Sequence, residues 1–212
     1  MKKKTNSTLI ITTLVCLLPV ILSLVLYDRL PAQIAVHFDH TGAPDNYLPK
    51  ALAVFGLPVL LAAINLLTHF MLDHDPRRKN ASATMRLVAK WSIPLISVIV
   101  IPVTLFMAMG ARIPIVMLVT GLVGVLLVIC GNYLPKCKRN YTMGIRLPWT
   151  LDSDDNWNKT HRFAGPIWVI GGFLFIATAF FDTLYAGLAV IAVMVVLPAI
   201  YSYLTYRKAH LH

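Results

Sequence analysis

An arginine with acidic residues close behind it is the first candidate for chemistry in this chain. Arg146 carries a guanidinium that can hold a carboxylate or phosphate through two parallel hydrogen bonds. Asp152, Asp154 and Asp155 follow it. A lipid phosphate or a partner's carboxylate would serve equally, and an unspecialised surface arginine is the plain reading. His161 and Arg162 pose the same choice. His37, Asp39 and His40 have metal-ligand chemistry, but their spacing fixes no third ligand, and no metal is expected. Asn65 and His69 stand one helical turn apart. An amide in an apolar helix reads as a helix–helix hydrogen bond, or alternatively as part of a polar pathway. The group His69, Asp73, His74 and Asp75 reads as a solvated boundary, as does the His210 and His212 tail.

Catalytic signatures are missing. The sequence has no Gly-x-Ser-x-Gly elbow, no His-Glu-x-x-His and no phosphate-binding glycine loop, so neither an enzyme nor a cofactor is expected. A membrane-embedded hydrolase would need His161 and an aspartate to meet around a cavity. Cys16, Cys130 and Cys137 are dispersed, without a Cys-x-x-Cys pair or a disulfide framework.

The elements that must position these residues are membrane helices. Of 212 residues, 58% are hydrophobic and 13% charged, against about 25% charged in soluble domains. Apolar blocks at 8–27, 51–72, 88–109, 113–134, 166–181 and 184–204 approach the length of about 20 residues that crosses a bilayer. The block at 166–181 is the shortest. Prolines 19, 58, 94, 102 and 198 fall inside the blocks, where neighbouring helices can re-satisfy the freed carbonyls. One membrane domain spanning 1–212 with six helices is expected. Its first block follows three lysines like a signal peptide, but no Ala-x-Ala cleavage site follows it.

Lysine and arginine give the orientation. Sixteen of the nineteen lie at the N-terminus, in 73–90, in 135–165 or in the tail, and only Arg29, Lys50 and Arg112 lie in the alternate loops. This positive-inside bias places both termini in the cytoplasm. The net charge of +10 therefore reflects topology and attraction to anionic lipid, and no direct nucleic-acid partner is expected.

Two loops are long enough to hold structure of their own. In the outer loop, 28–50, polar and apolar residues alternate over 33–38 and predict a short strand, followed by a turn at 41–45 that includes Gly42, Pro44 and Asp45. In the cytoplasmic loop, 135–165, Pro148 biases 145–150 toward extended structure. The aspartates then suit a helix N-terminus, which would put Trp157 and His161 on one face. Trp149 and Trp157 suit a loop resting on the membrane interface. Asn132, beside Gly131, is placed to cap the fourth helix.

The two loops together resemble those of the SdpI family of bacterial membrane proteins. The inner one carries Gly131-Asn132, Asn140, Gly144-Ile145-Arg146, Pro148-Trp149-Thr150-Leu151, Trp157, Thr160-His161-Arg162 and Gly165. The outer one, with Leu30-Pro31, Ile34, His37-Phe38, Gly42, Pro44-Asp45 and Lys50, resembles the domain of unknown function that often accompanies that family. The family commonly has Thr where this chain has Leu147, which removes a hydroxyl donor and acceptor. The resemblance implies six spans and a non-enzymatic immunity protein protecting the cell from a secreted membrane-active peptide toxin. It also implies signalling in which a small cytoplasmic winged-helix repressor is held at the membrane. A small-solute or ion transporter is the alternative function.

Overall fold

Proline shapes the first span. In the computed structural model, which describes residues 7–181 and 184–210, α1 (Ser7–Leu17) and α2 (Pro19–Leu26) form one apolar stretch with a break between them. Pro19 has no N–H for the carbonyl of Val15, and the Leu18 N–H takes that carbonyl instead, at 3.2 Å. Lys2, Lys3, Lys4 and His212 lie outside the described residues.

The chain divides into two compact units, Met1–Met71 with Leu87–Ile115, and Leu72–Arg86 with Val116–His212. In the first, α2 passes through a tight turn, Tyr27–Arg29, into an antiparallel hairpin of β1 (Gln33–Phe38) and β2 (Pro44–Pro49). The expected strand is there with its expected bounds. The turn falls earlier than expected, so Pro44 and Asp45 belong to β2. The pairing is irregular around His37. A wide helical turn at Leu52–Gly56 leads into α3 (Leu57–His74). Pro58 explains the widening, because it cannot donate to the carbonyl of Val54. Then follows α4 (Ala83–Ala108).

Ile34 anchors the hairpin to the helices. It is buried with Leu26, Leu30, Ala53, Val54, Ile101 and Leu105. The Lys50 ammonium donates to the carbonyls of Tyr27 and Leu30 at 3.0 and 3.2 Å and lies over the Tyr27 ring. It thus closes the chain end of α2, where a cation complements the helix dipole. Deeper in the unit, the Asn65 amide donates to the hydroxyls of Thr12 and Thr13, each at 3.1 Å, and Ser97 donates to the Cys16 carbonyl at 2.7 Å. Asn65 makes the expected helix–helix bonds.

The second unit contains α5 (Ile115–Tyr133), a short α6 (Pro148–Asp152), α7 (Asp154–Thr178) and α8 (Leu184–His210). Here α5 and α7 touch backbone to backbone. A Cβ on Gly131 would meet the Val169 nitrogen at 2.7 Å and the Gly165 oxygen at 2.9 Å. Seven residues later in α7 and seven earlier in α5 the contact repeats, since a Cβ on Gly172 would meet the Val128 nitrogen at 2.8 Å and the Gly124 oxygen at 2.9 Å. Small residues are what let helices approach so closely in a bilayer.

Five helical stretches among the described residues are long and apolar enough to cross a membrane: Ser7–Arg29, Leu52–His74, Ala83–Ala108, Ile115–Lys136 and Tyr185–Ala209. The segment expected to be a sixth, 166–181, is the later part of α7, whose helix ends at Thr178. Its glycines and the polar first turns of α7 keep it out of that set. The expected loop at 135–165 is correspondingly shorter, because 154–165 is already α7. Asn132 lies exposed inside α5, ahead of its end, and is not a cap.

The glycine contacts give a direct test. Gly131→Leu should cost about 1–3 kcal/mol of thermal stability in detergent, as overpacking does. Gly121→Leu on the same helix, where a Cβ meets nothing within 4 Å, should cost nothing. Equal stability of the two variants would show that the backbones do not touch.

Candidate functional site

Residues Cys137–Leu147 form neither helix nor strand, so their backbone groups need partners from side chains. Asn140, fully buried, supplies the first. Its Oδ1 accepts from the N–H groups of Met143 and Thr142 at 2.7 and 3.0 Å, and its Nδ2 donates to the Lys138 carbonyl at 2.9 Å. One amide therefore closes the turn.

Helix α7 supplies the second set. Ser153 caps it by accepting from the Asn156 N–H, and Asp154 and Asp155 occupy its first turn as expected. Trp157 and His161 do share a face, and their rings stack at 4.0 Å. Both are buried. The Trp157 indole N–H donates to the Cys137 carbonyl at 2.7 Å, which corrects the reading of this tryptophan as an interfacial anchor. The His161 Nδ1 lies 2.8 Å from the Trp157 carbonyl, and its Nε2 accepts the Ile145 N–H at 2.9 Å. These contacts require a neutral ring with its proton on Nδ1, since a proton on Nε2 would break the loop bond.

Gly144 is what lets the loop lie on this stack. Its φ is +103°, and a Cβ there would collide with His161 Nε2 and come within 3.0 Å of the Trp157 ring. No other residue satisfies both constraints.

Thr150 closes the far end. Buried, it accepts the Leu147 N–H at 2.8 Å and reaches the Ile145 carbonyl at 2.8 Å. Pro148 starts α6, so extended structure stops at Leu147 and not at 150 as expected. A proline is pre-organised for the first position of a helix. Leu147 is the N-cap and offers no side-chain acceptor, which leaves the cap of α6 half-formed. The Trp149 ring packs edge-on against Tyr203 of α8 at 5.4 Å. Asn156, Thr160 and Ser202, all buried, join α7 to α8: Thr160 donates to Asn156 Oδ1 at 2.9 Å, and Asn156 donates to the Ser202 carbonyl at 3.0 Å.

One important residue was misread from sequence. Asp75, taken as solvated, is 5% exposed. It accepts the N–H groups of Arg77 at 2.7 Å and Tyr141 at 2.9 Å, and also the Thr142 hydroxyl. Burial pushes its carboxyl up, yet these hydrogen bonds outweigh burial and hold it below the usual carboxylate value. His69 is likewise buried, with Nε2 3.0 Å from Thr12 Oγ1. Asp75 precedes Pro76, a turn signal, and bonds locally to Arg77, but its partners Tyr141 and Thr142 are 66 and 67 residues away. Nothing local in the sequence announces them.

Arg146 and Arg162 are exposed. Arg146 does not pair with the aspartates; it donates to the Tyr141 carbonyl at 2.8 Å. The carboxylates of Asp154 and Asp155 are held by Arg139 and Lys159. In the β1–β2 hairpin, His37 Nδ1 lies 2.6 Å from Asp45 Oδ1, and Asp39 Oδ1 accepts from Thr41 and Ala43 to fix the turn, with Gly42 at φ +85°. No group of three or more metal-ligating side chains comes together among the described residues. Beneath the hairpin lies an apolar cavity of about 220 Å³, lined by Ile34, Leu57, Leu61, Val100 and Leu105 among others.

His161 makes a pH prediction. Burial lowers its pKa from 6.5 to about 4, against the Trp157 carbonyl, which raises it. The unfolded chain takes up a proton in that interval and the folded chain refuses it. Stability is therefore complete above the unfolded value and falls as pH drops toward the folded one. The loss should be on the order of 3 kcal/mol, and it should flatten in His161→Gln. An imidazole resonance of His161 titrating at its ordinary value would show that the loop does not bury it.

Residues 136–203 match the SdpI/YfhL protein family, and residues 14–62 match DUF1648, a domain of unknown function. The chain is 29% identical to the immunity protein SdpI of Bacillus subtilis (strain 168) over 202 residues, covering 94% of this chain and 96% of that one. No solved structure matches it.

Proposed function

We propose, from the match of residues 136–203 to the SdpI/YfhL protein family and the likeness to the immunity protein SdpI, that the chain is a non-enzymatic immunity protein protecting its cell from a secreted membrane-active peptide toxin. It is a multi-pass protein of the bacterial cell membrane. The observation that carries the proposal is a likeness running through nearly the full length of both chains, outer hairpin and inner loop included.

Six spans are part of this reading. The later part of α7 is the sixth, crossing against α5 through the paired glycines, with the hairpin outside and both termini and the Cys137–Leu147 loop inside. The charge asymmetry supports that orientation. In a cysteine-free background, Thr41→Cys should label with an impermeant maleimide in intact cells, and Tyr141→Cys only after permeabilisation. The reverse pattern would overturn the topology.

The outer hairpin and its apolar cavity engage the toxin, and the fastened inner loop presents Arg146 to a cytoplasmic partner such as a winged-helix repressor. Recruitment would require the toxin to bind two states of the protein unequally. A transporter reading draws on Asn65 and His69, whose polar atoms bond across helices with Thr12, and on the outer group of His37, Asp39 and His40.

The test is survival of a sensitive Gram-positive host expressing the protein under challenge with sporulation-delaying-type toxin peptides. The native chain should protect, and Arg146→Ala at matched membrane abundance should return the host to sensitivity. Full sensitivity with the native protein present in the membrane would sink the immunity reading for those toxins. Solute uptake in vesicles would then be measured.

A further inference from the structure

We propose that Arg77, Tyr141 and Arg146 form a binding site for a phosphate group at the inner face of the second unit. The two arginines come from different segments and converge on one residue. The Arg77 guanidinium lies over the Tyr141 ring, 5.4 Å from its centroid, and Arg146 donates to the Tyr141 carbonyl at 2.8 Å. Tyr141 and Arg146 are exposed and Arg77 is half-buried, so the group between them is open to a ligand.

Charge sorts these arginines from the others nearby. Arg86 pairs with Asp73 at 2.9 Å and Arg139 pairs with Asp154, whereas Arg78 donates to the Asp73 backbone carbonyl and is set apart by position, since its bond is not to Tyr141. Arg77 and Arg146 pair with no carboxylate among the described residues. The one acidic group at the site, Asp75, spends its oxygens on the N–H groups of Arg77 and Tyr141 and on the Thr142 hydroxyl. It leaves two guanidinium groups against one carboxylate.

Asp75 also makes the site rigid. The two residues whose side chains stack have their backbone N–H groups bonded to the same carboxylate, so their spacing is set before any ligand arrives. Tyr141 thus gives its N–H to Asp75, its carbonyl to Arg146 and its ring to Arg77. A guanidinium so held keeps N–H groups free for bidentate phosphate recognition, and an ammonium would be a poor substitute. The phosphate can belong to an anionic lipid headgroup or to a soluble anion.

The test uses the full chain, delipidated in detergent and offered phosphatidylglycerol or phosphatidylcholine, with retained lipid read by native mass spectrometry. Arg77→Gln and Arg146→Gln should each lower phosphatidylglycerol retention about fivefold, the effect of one near-surface cation. Arg146→Lys should restore part of the loss, and Arg78→Gln, an equal change in net charge, should leave retention unchanged. Since Arg146 is exposed, its variants keep the fold, which helical circular dichroism confirms. A second arm adds inorganic phosphate to the protein in neutral-lipid nanodiscs and follows phosphorus line broadening. Broadening lost in Arg146→Gln would identify a soluble anion as the source. The proposal is overturned if Arg78→Gln matches the other two variants, which would mean diffuse attraction. It is also overturned if the native chain shows neither lipid preference nor phosphate broadening.

Discussion

The loop after α5 depends on one constraint: a stretch without helix or strand still has to satisfy its buried backbone groups. Cys137–Leu147 meets it with side chains from four places. Asn140 closes the turn from within, Asp75 reaches in from the α3–α4 connection, Thr150 holds the exit, and Trp157 and His161 hold the loop from α7. Each bond is worth about 1 kcal/mol net, but leaving its buried partner unmet costs more. The loop is fixed because every alternative leaves polar groups orphaned. A neutral His161 belongs to the same logic, since its acceptor nitrogen is what meets the Ile145 N–H.

The membrane helices obey the same rule with different means. At Pro19 the chain breaks into two helices and at Pro58 it widens, and in each case the missing N–H sets the local form. Between α5 and α7 the gain comes from close backbone contact at Gly124, Gly131, Gly165 and Gly172. Glycine adds little hydrophobicity, so the helix whose backbone lies against α5 is the one whose composition looks least like a span.

This explains what was legible in the sequence. Short-range signals were readable: alternation gave β1 with its bounds, the aspartates marked the start of α7, and helical spacing put Trp157 and His161 together. Long-range pairings were not. The tie from Asp75 to Tyr141 spans 66 residues, and an aspartate beside a helix end looks solvated until its partners are known. Trp157 was misplaced for a related reason. Its amphipathic ring suits an interface equally well, and only the Cys137 carbonyl and the His161 ring settle that it is buried. At α6, Pro148 was read through its effect on the preceding residue, whereas its own fixed φ starts a helix.

Leu147 shows how much of this network is redundant. A threonine there would cap α6 with its hydroxyl, and its absence forfeits about 1 kcal/mol. The loop holds without it, because the Leu147 N–H already goes to Thr150 and its carbonyl takes the N–H groups of Thr150 and Leu151. No backbone group is left unmet, so the position tolerates an apolar side chain. Gly144 has no such slack. Any side chain there meets His161 and Trp157 at once, and a backbone at φ +103° resists it independently. Tolerance in this loop follows from whether a substitution leaves a buried polar group without a partner or a ring without room.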